Sequence, residues 1–404
     1  MKIDHTLYKS IGFLHYTNSE IKSIKKGLTP NVLDENDINF LKQSYHNEFL
    51  GIMFDNNNVD RLYKDLDYEI EIDSISIKLI LKKIEVFIFH EEEEKERRAI
   101  FSLSYNLDNL TLENVSDVSN TLNRYNTEIT YQNNKYLLKE FVSEILLNNK
   151  KFYEENTPSE QYAGSKFKNY LIIDLKHEKD VRDHLLYEIG TCSKIGTIKN
   201  NDISSPSKSY QERILENKIS CFNNYEALPI LDSFTVIGTN NYKKDEIYTH
   251  KTWDEVYFSI YIFNLYMKSS LQIISNDFSN SPMKRRKTFQ KFYNKYFFNK
   301  ISFNFLPNEM HKGMKEGLEI QDDLEFISNR LETLAVQVNE KQQKQQESLL
   351  LVISVIALLE TPLHLDGIRE IIGINNEVIY NSIVYALLVI TVVSFLLIKI
   401  RENR

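Results

Sequence analysis

From Asn308 to Leu359 the chain carries no proline, and the only glycines of that stretch, Gly313 and Gly317, fall near its start. Those two residue types end helices, so the stretch predicts a single helix of about fifty residues, roughly 75–80 Å long. A helix that long cannot lie along one small domain, and it is expected to project as a stalk over residues 307–347. Within it Leu324, Ile327, Leu331, Leu334 and Val338 recur at spacings of 3, 4, 3 and 4. That a/d seam predicts self-association in a left-handed coil.

The stalk leads into apolar sequence. After the polar run Asn339–Glu347, Ser348 opens the run Leu349–Leu359. Extended through Glu360-Thr361-Pro362-Leu363-His364-Leu365 it gives a candidate membrane span at 348–365, near the lower limit of about 17 residues. A second span is expected at 379–400, whose core from Ile383 to Ile398 has only Thr391, Ser394 and the Tyr385 phenol as polar groups. Lys341 and Lys344 precede the first span, and Lys399, Arg401 and Arg404 follow the second. Glu360, Asp366, Glu370 and Glu377 crowd the loop 366–378 and its borders. Positive charge stays on the cytosolic side, so both ends, including the tail 401–404, are expected there.

Residues 1–250 read as a mixed α/β cytosolic ligand-sensing domain. Strand character is expected at Glu48–Asp55, Tyr68–Asp73, Ile75–Leu81, Glu85–His90 and Ala99–Tyr105, the last two forming a hairpin around the charged tip Glu91–Arg98. Helices are expected at Glu113–Arg124, Lys135–Leu147 and Asp180–Ile189, with further strands at Tyr170–Leu175 and Ser233–Gly238. A helical hairpin follows at 251–306. Its first helix opens on the capping-box pattern Thr252-Trp253-Asp254-Glu255 and runs to about Asn276. The apolar run Val256–Met267 is too short for a span and predicts a buried helix. In the second helix, Lys284–Asn299, the stripe Phe289, Phe292, Tyr293, Tyr296 and Phe297 is assigned to the core. The overall class is therefore an α+β domain, a long stalk helix and two C-terminal transmembrane helices.

Composition narrows the chemistry. A net charge of −8 gives no global reason to expect nucleic-acid binding. Two cysteines, Cys192 and Cys221, without a CxxC pair, exclude a disulfide framework or a sulfur-rich zinc site. The N-terminus has no apolar core of a signal peptide. No phosphate-binding glycine loop, HExxH, GxSxG or dinucleotide fingerprint is present, so no catalytic residue and no tightly bound cofactor are expected.

The plan of α/β domain, helical hairpin, long helix, span, short loop, span and basic tail resembles the CorA superfamily of pentameric metal-ion channels. The family's Gly-Met-Asn motif is absent, the corresponding segment reading Glu360-Thr361-Pro362-Leu363-His364-Leu365-Asp366-Gly367-Ile368. The plan is most similar to the diverged CorA-like membrane effectors associated with type III CRISPR systems. That resemblance implies a homopentameric funnel in a bacterial inner membrane, in contact with lipid. It also implies antiviral function, with opening triggered by a nucleotide second messenger, an adduct of S-adenosylmethionine and AMP. Carrying the seam onward in its two possible registers places Gln345, Val352 and Leu359 along the expected pore, with either Ser348 or Leu349 and either Val355 or Ile356 between them. Gln345, Leu349, Val352, Ile356 and Leu359 are the candidates for a polar vestibule above an apolar gate. Lys82, Lys83, Arg97 and Arg98 are the candidate ligand-binding cations. The rival expectations are a constitutive divalent-cation (magnesium) transporter, with Asp322, Asp323 and Glu325 as stalk carboxylates, a coiled-coil anchor, and a membrane-tethered enzyme.

Overall fold

A computed structural model describes residues 2–17, 21–33, 35–90, 96–146, 166–176, 181–198, 205–239, 252–276, 282–360, 376, 378–386 and 389–390. The chain divides into two compact units, Met1–Ile327 and Ser328–Arg404.

The first unit opens with β1 (Lys2–Thr17), α1 (Ile21–Lys25), β2 (Thr29–Pro30), α2 (Glu35–Ser44) and α3 (Asn47–Met53). Then come β3 (Val59–Ile72), β4 (Ile77–Phe89), β5 (Glu96–Asn106) and α4 (Leu112–Leu122). β6 (Glu128–Tyr131), β7 (Asn134–Leu137) and α5 (Leu138–Phe141) precede β8 (Lys168–Lys176) and α6 (Asp183–Gly190). α7 (Lys208–Leu215), β9 (Ile219–Phe222), β10 (Tyr225–Ile230) and β11 (Ser233–Thr239) complete the strands. A π-turn, Thr252–Tyr257, runs straight into α8 (Phe258–Asn276). α9 (Pro282–Tyr296), α10 (Phe305–Gly317) and α11 (Ile320–Glu360) follow.

The strands form one large sheet in the order β7-β6-β3-β4-β5-β1-β8-β11-β10-β9, with β2 on the edge of β3. Neighbours are antiparallel except β8 and β11, which run parallel, so the sheet is mixed and the fold is α/β. The run Ile84–Phe89 is buried at every position, and Leu171–Ile173 likewise. A strand with apolar residues on both sides must be covered on both faces, which sets a helix–sheet–helix layering. On one face Asn169 of β8 donates to the Ser119 carbonyl of α4, and Ser233 Oγ of β11 donates to the Gly190 carbonyl of α6. On the other face α8 lays Phe258, Tyr261 and Tyr266 against Phe87, Tyr170 and Phe89. The expected buried helix is thus α8, with Phe258–Leu271 buried throughout. The aromatic stripe of α9 is core at Phe289, Phe292 and Tyr296, while Tyr293 is 44% exposed.

Several expectations are corrected. Glu48–Asp55 is mostly helix α3 rather than strand, because Phe49, Ile52 and Met53 recur at helical spacing and are buried together. Lys135–Leu147 starts as strand β7 before turning helical at Leu138. The single stalk helix is broken: α10 ends at Gly317, Glu319 takes a positive φ of 54°, and α11 begins at Ile320. At the end of α10 Gly317 packs so tightly that a Cβ there would run into the carbonyl of Pro229 in β10. Gly317→Ala should therefore cost about 1–3 kcal/mol of stability in chemical denaturation. Gly51→Ala, where nothing lies within 4 Å of the added Cβ, should be neutral or slightly stabilising in its helix. Equal effects at the two sites would remove the packing argument.

The two transmembrane helices, and with them the reading of a membrane protein, are also corrected: among the described residues no helix is long and apolar enough to cross a membrane. α11 has 41 residues, but its apolar run starts only at Leu349, behind the polar stretch Asn339–Glu347, and its last described residue is Glu360. Of the expected second span, residues 379–386 and 389–390 are described; 361–375 and 391–404 lie outside the described residues. Of the seam, Leu324 and Ile327 are buried within the first unit, and Leu331 and Leu334 are half-buried.

Candidate functional site

Strand register gathers charge on the α8 face of the sheet. Opposed residues of antiparallel neighbours share a face. Lys9, Ser104, Lys83 and Asp65 make one row across β1, β5, β4 and β3; Ile11, Ser102, Glu85 and Tyr63 make the next; Phe13, Ile100, Phe87 and Arg61 the one after. Glu85 and the cations Lys9, Lys83 and Arg61 thus share one face, and the π-turn sets Asp254 over Lys9.

Lys9 is 2% exposed and donates to Glu85 Oε2 at 2.7 Å. Its Nζ also lies 2.6 Å from Asp254 Oδ1 and 3.7 Å from the centre of the Phe258 ring. Lys83 reaches the other Glu85 oxygen at 3.0 Å and lies 5.2 Å from the Tyr63 ring. Ser102 Oγ donates to Glu85 as well. Burial opposes ionisation of Glu85, but Lys9 and Lys83 outweigh it and hold the carboxyl down to about 2. Burial likewise opposes the charge on Lys9, and Glu85 and Asp254 more than offset it, raising its pKa.

Arg61 completes the cluster. It is 7% exposed, with its guanidinium carbon 4.7 Å from the Phe54 ring and 5.6 Å from the Phe87 ring. Its Nε and Nη1 are buried with no hydrogen-bond partner among the described residues. Burial lowers its pKa against the pull of Glu85 and Glu255. Buried cations without hydrogen bonds are costly and rare in folded chains, and they concentrate where a ligand is bound.

Of the residues singled out in the sequence, Lys83 belongs to this cluster. Lys82 does not: a register shift between Leu81 and Lys83 separates the neighbours, and Lys82 pairs with exposed Asp67 at 3.4 Å. Arg97 and Arg98 lie on β5 opposite Tyr16 and His15, and their side chains are outside the described residues. In the second unit Gln345 and Leu349 are exposed and line an open groove of about 460 Å³ with Ser348 and Ile353. Val352, Ile356 and Leu359 lie on α11, their side chains outside the described residues. Asp323 is held by Lys268 at 2.8 Å. Among the described residues no group of three or more His, Cys, Asp or Glu could hold a metal ion. Both cysteines are free thiols, Cys192 buried and Cys221 half-buried.

Lys9, Arg61, Glu85 and Asp254 were not anticipated. A signal was present at Glu85, a charge set inside the apolar run Ile84-Glu85-Val86-Phe87. Such charges need a partner, but nothing local names a partner 76 residues away. No known protein family, curated protein or solved structure matches the chain.

Proposed function

We propose that the chain is a sensor of a small phosphate-bearing ligand of the nucleotide class, bound on the α8 face of the sheet and acting by binding rather than catalysis. The observation that carries this reading is Arg61, a buried guanidinium whose Nε and Nη1 lack hydrogen-bond partners among the described residues, on the same sheet face as the cations Lys9 and Lys83. Phosphate oxygens are the acceptors that such a fork and two ammonium groups bind best. The half-buried Tyr63 ring at the rim supplies an aromatic face of the kind that stacks on a base. The acidic groups Glu85 and Asp254 keep the cations charged and in place until the ligand competes for them. An S-adenosylmethionine–AMP adduct fits this class, since it joins phosphate, base and sulfonium. Membrane conductance forms no part of the proposal.

Isothermal titration of the full chain with ATP, AMP, S-adenosylmethionine and the adduct tests it. At least one should bind, and Lys83→Met, at a side chain 30% exposed, should weaken that binding about tenfold, or about 1.4 kcal/mol. Absence of binding by all four, or unchanged affinity in a folded Lys83→Met chain, would overturn the reading.

A further inference from the structure

The two carboxylates on Lys9 are not equivalent. Glu85 is 7% exposed, is aligned for a hydrogen bond, and is held again by Lys83 and Ser102. The Asp254 side chain is 44% exposed, and Lys9, at 2.6 Å from its Oδ1, is the one cation on it among the described residues. Asp254 is therefore the partner that an incoming anion replaces most easily. It also sits inside the π-turn Thr252–Tyr257, which is continuous with α8. A π-turn holds more residues per turn than the α-helix it leads into, and such turns are frequent at functional positions.

The far part of α8 is tied to the next segment. Lys268, its side chain 3% exposed, pairs with Asp323 at 2.8 Å and donates to the Glu319 carbonyl at 3.3 Å. Gln272 also donates to Asp323. These contacts hold the first turn of α11, next to the break at Glu319. Lys268 lies about 20 Å along the helix from Asp254, and the helix between is buried on all sides.

We propose that Asp254 is a built-in anion on Lys9, and that a ligand phosphate displaces it, resets the π-turn and shifts α8 against the start of α11. This rests on the sensor reading above and adds its regulation. Binding favours the shifted state only because the phosphate, unlike Asp254, is not tethered to the turn. The residue beside Asp254 supplies a reporter: Trp253 is the only tryptophan in the chain, 2% exposed among Tyr225, Phe234 and Tyr257. Its carbonyl accepts from Tyr170.

The test titrates the full chain with pyrophosphate, reading affinity by calorimetry, Trp253 emission, and hydrogen exchange of Ile320–Ile327. The expected result is a shift of emission and faster exchange on binding. Asp254→Asn should bind about tenfold more tightly and show the shifted emission without pyrophosphate. Lys268→Met should bind as the parent does yet lose the exchange response. If pyrophosphate binds but Asp254→Asn is no tighter, or exchange at 320–327 does not respond, the switch is overturned and the sensor stands. If neither pyrophosphate nor any nucleotide binds, both fall.

Discussion

Lys9→Met is expected to lower the unfolding free energy by about 3–5 kcal/mol, the cost of leaving a buried charge without its partner. In thermal unfolding that corresponds to a fall on the order of 10 °C. Glu85 would keep Lys83 at 3.0 Å, which places the effect toward the lower end. Replacing both, Lys9→Met with Glu85→Met, should recover most of the loss, because an apolar pair of similar volume removes both desolvation costs together. Asp254→Asn should cost much less, since that side chain is half exposed. A Lys9→Met loss under 1 kcal/mol would show that the pair is not buried as described. The pH dependence follows from the two shifts. Glu85, depressed, contributes stability that is present above the ordinary carboxyl range and lost as pH falls towards about 2. Lys9, raised, contributes stability that is present below the ordinary lysine range and lost only above it. The pair should leave no inflection near neutrality.

The second large effect is at His311 in α10. Burial, and then the nearby Lys315 charge, depress this imidazole from 6.5 to about 3. Asn264 Nδ2 lies 3.1 Å from His311 Nδ1 as donor, which suits a neutral ring, and Phe263 lies against it at 5.8 Å. Between pH 6.5 and 3 the unfolded chain binds a proton that the folded chain refuses, so stability must fall as pH falls through that window. The slope from this one group approaches about 1.4 kcal/mol per pH unit. Urea denaturation at pH 7 and pH 5 should differ by about 2 kcal/mol more in the parent than in His311→Gln. The variant keeps an acceptor for Asn264 but cannot titrate. Identical pH dependence in the two proteins would mean that His311 is not held neutral.

Local periodicity made a good part of the fold legible. The hairpin β4–β5, the strands β8 and β11, helix α4 and the buried character of α8 all follow from runs whose pattern is complete within a dozen residues. Glu48–Asp55 misled because a short apolar run satisfies strand and helix periods alike. The long C-terminal stretch misled because helix propensity and apolarity were extended over fifty residues. The helix breaks between Gly317 and Ile320, where Glu319 takes a positive φ, and no described segment reaches membrane-spanning length and apolarity. Lys82 and Lys83 were equivalent ligand candidates in the sequence, but a register shift beside them sends Lys83 to Glu85 and Lys82 to exposed Asp67.

What the amino-acid sequence determined by itself was the identity of many of the elements, such as the hairpin β4–β5, the strands β8 and β11 and the buried helix α8. Only the tertiary structure decided that β1 runs through the middle of the sheet between β5 and β8, so that Lys9 meets Glu85 and Asp254 from two distant segments. The physical reason is range. Turn and helix preferences act over a few residues, whereas a buried ion pair is selected by the low dielectric of a core that exists only after remote strands have paired.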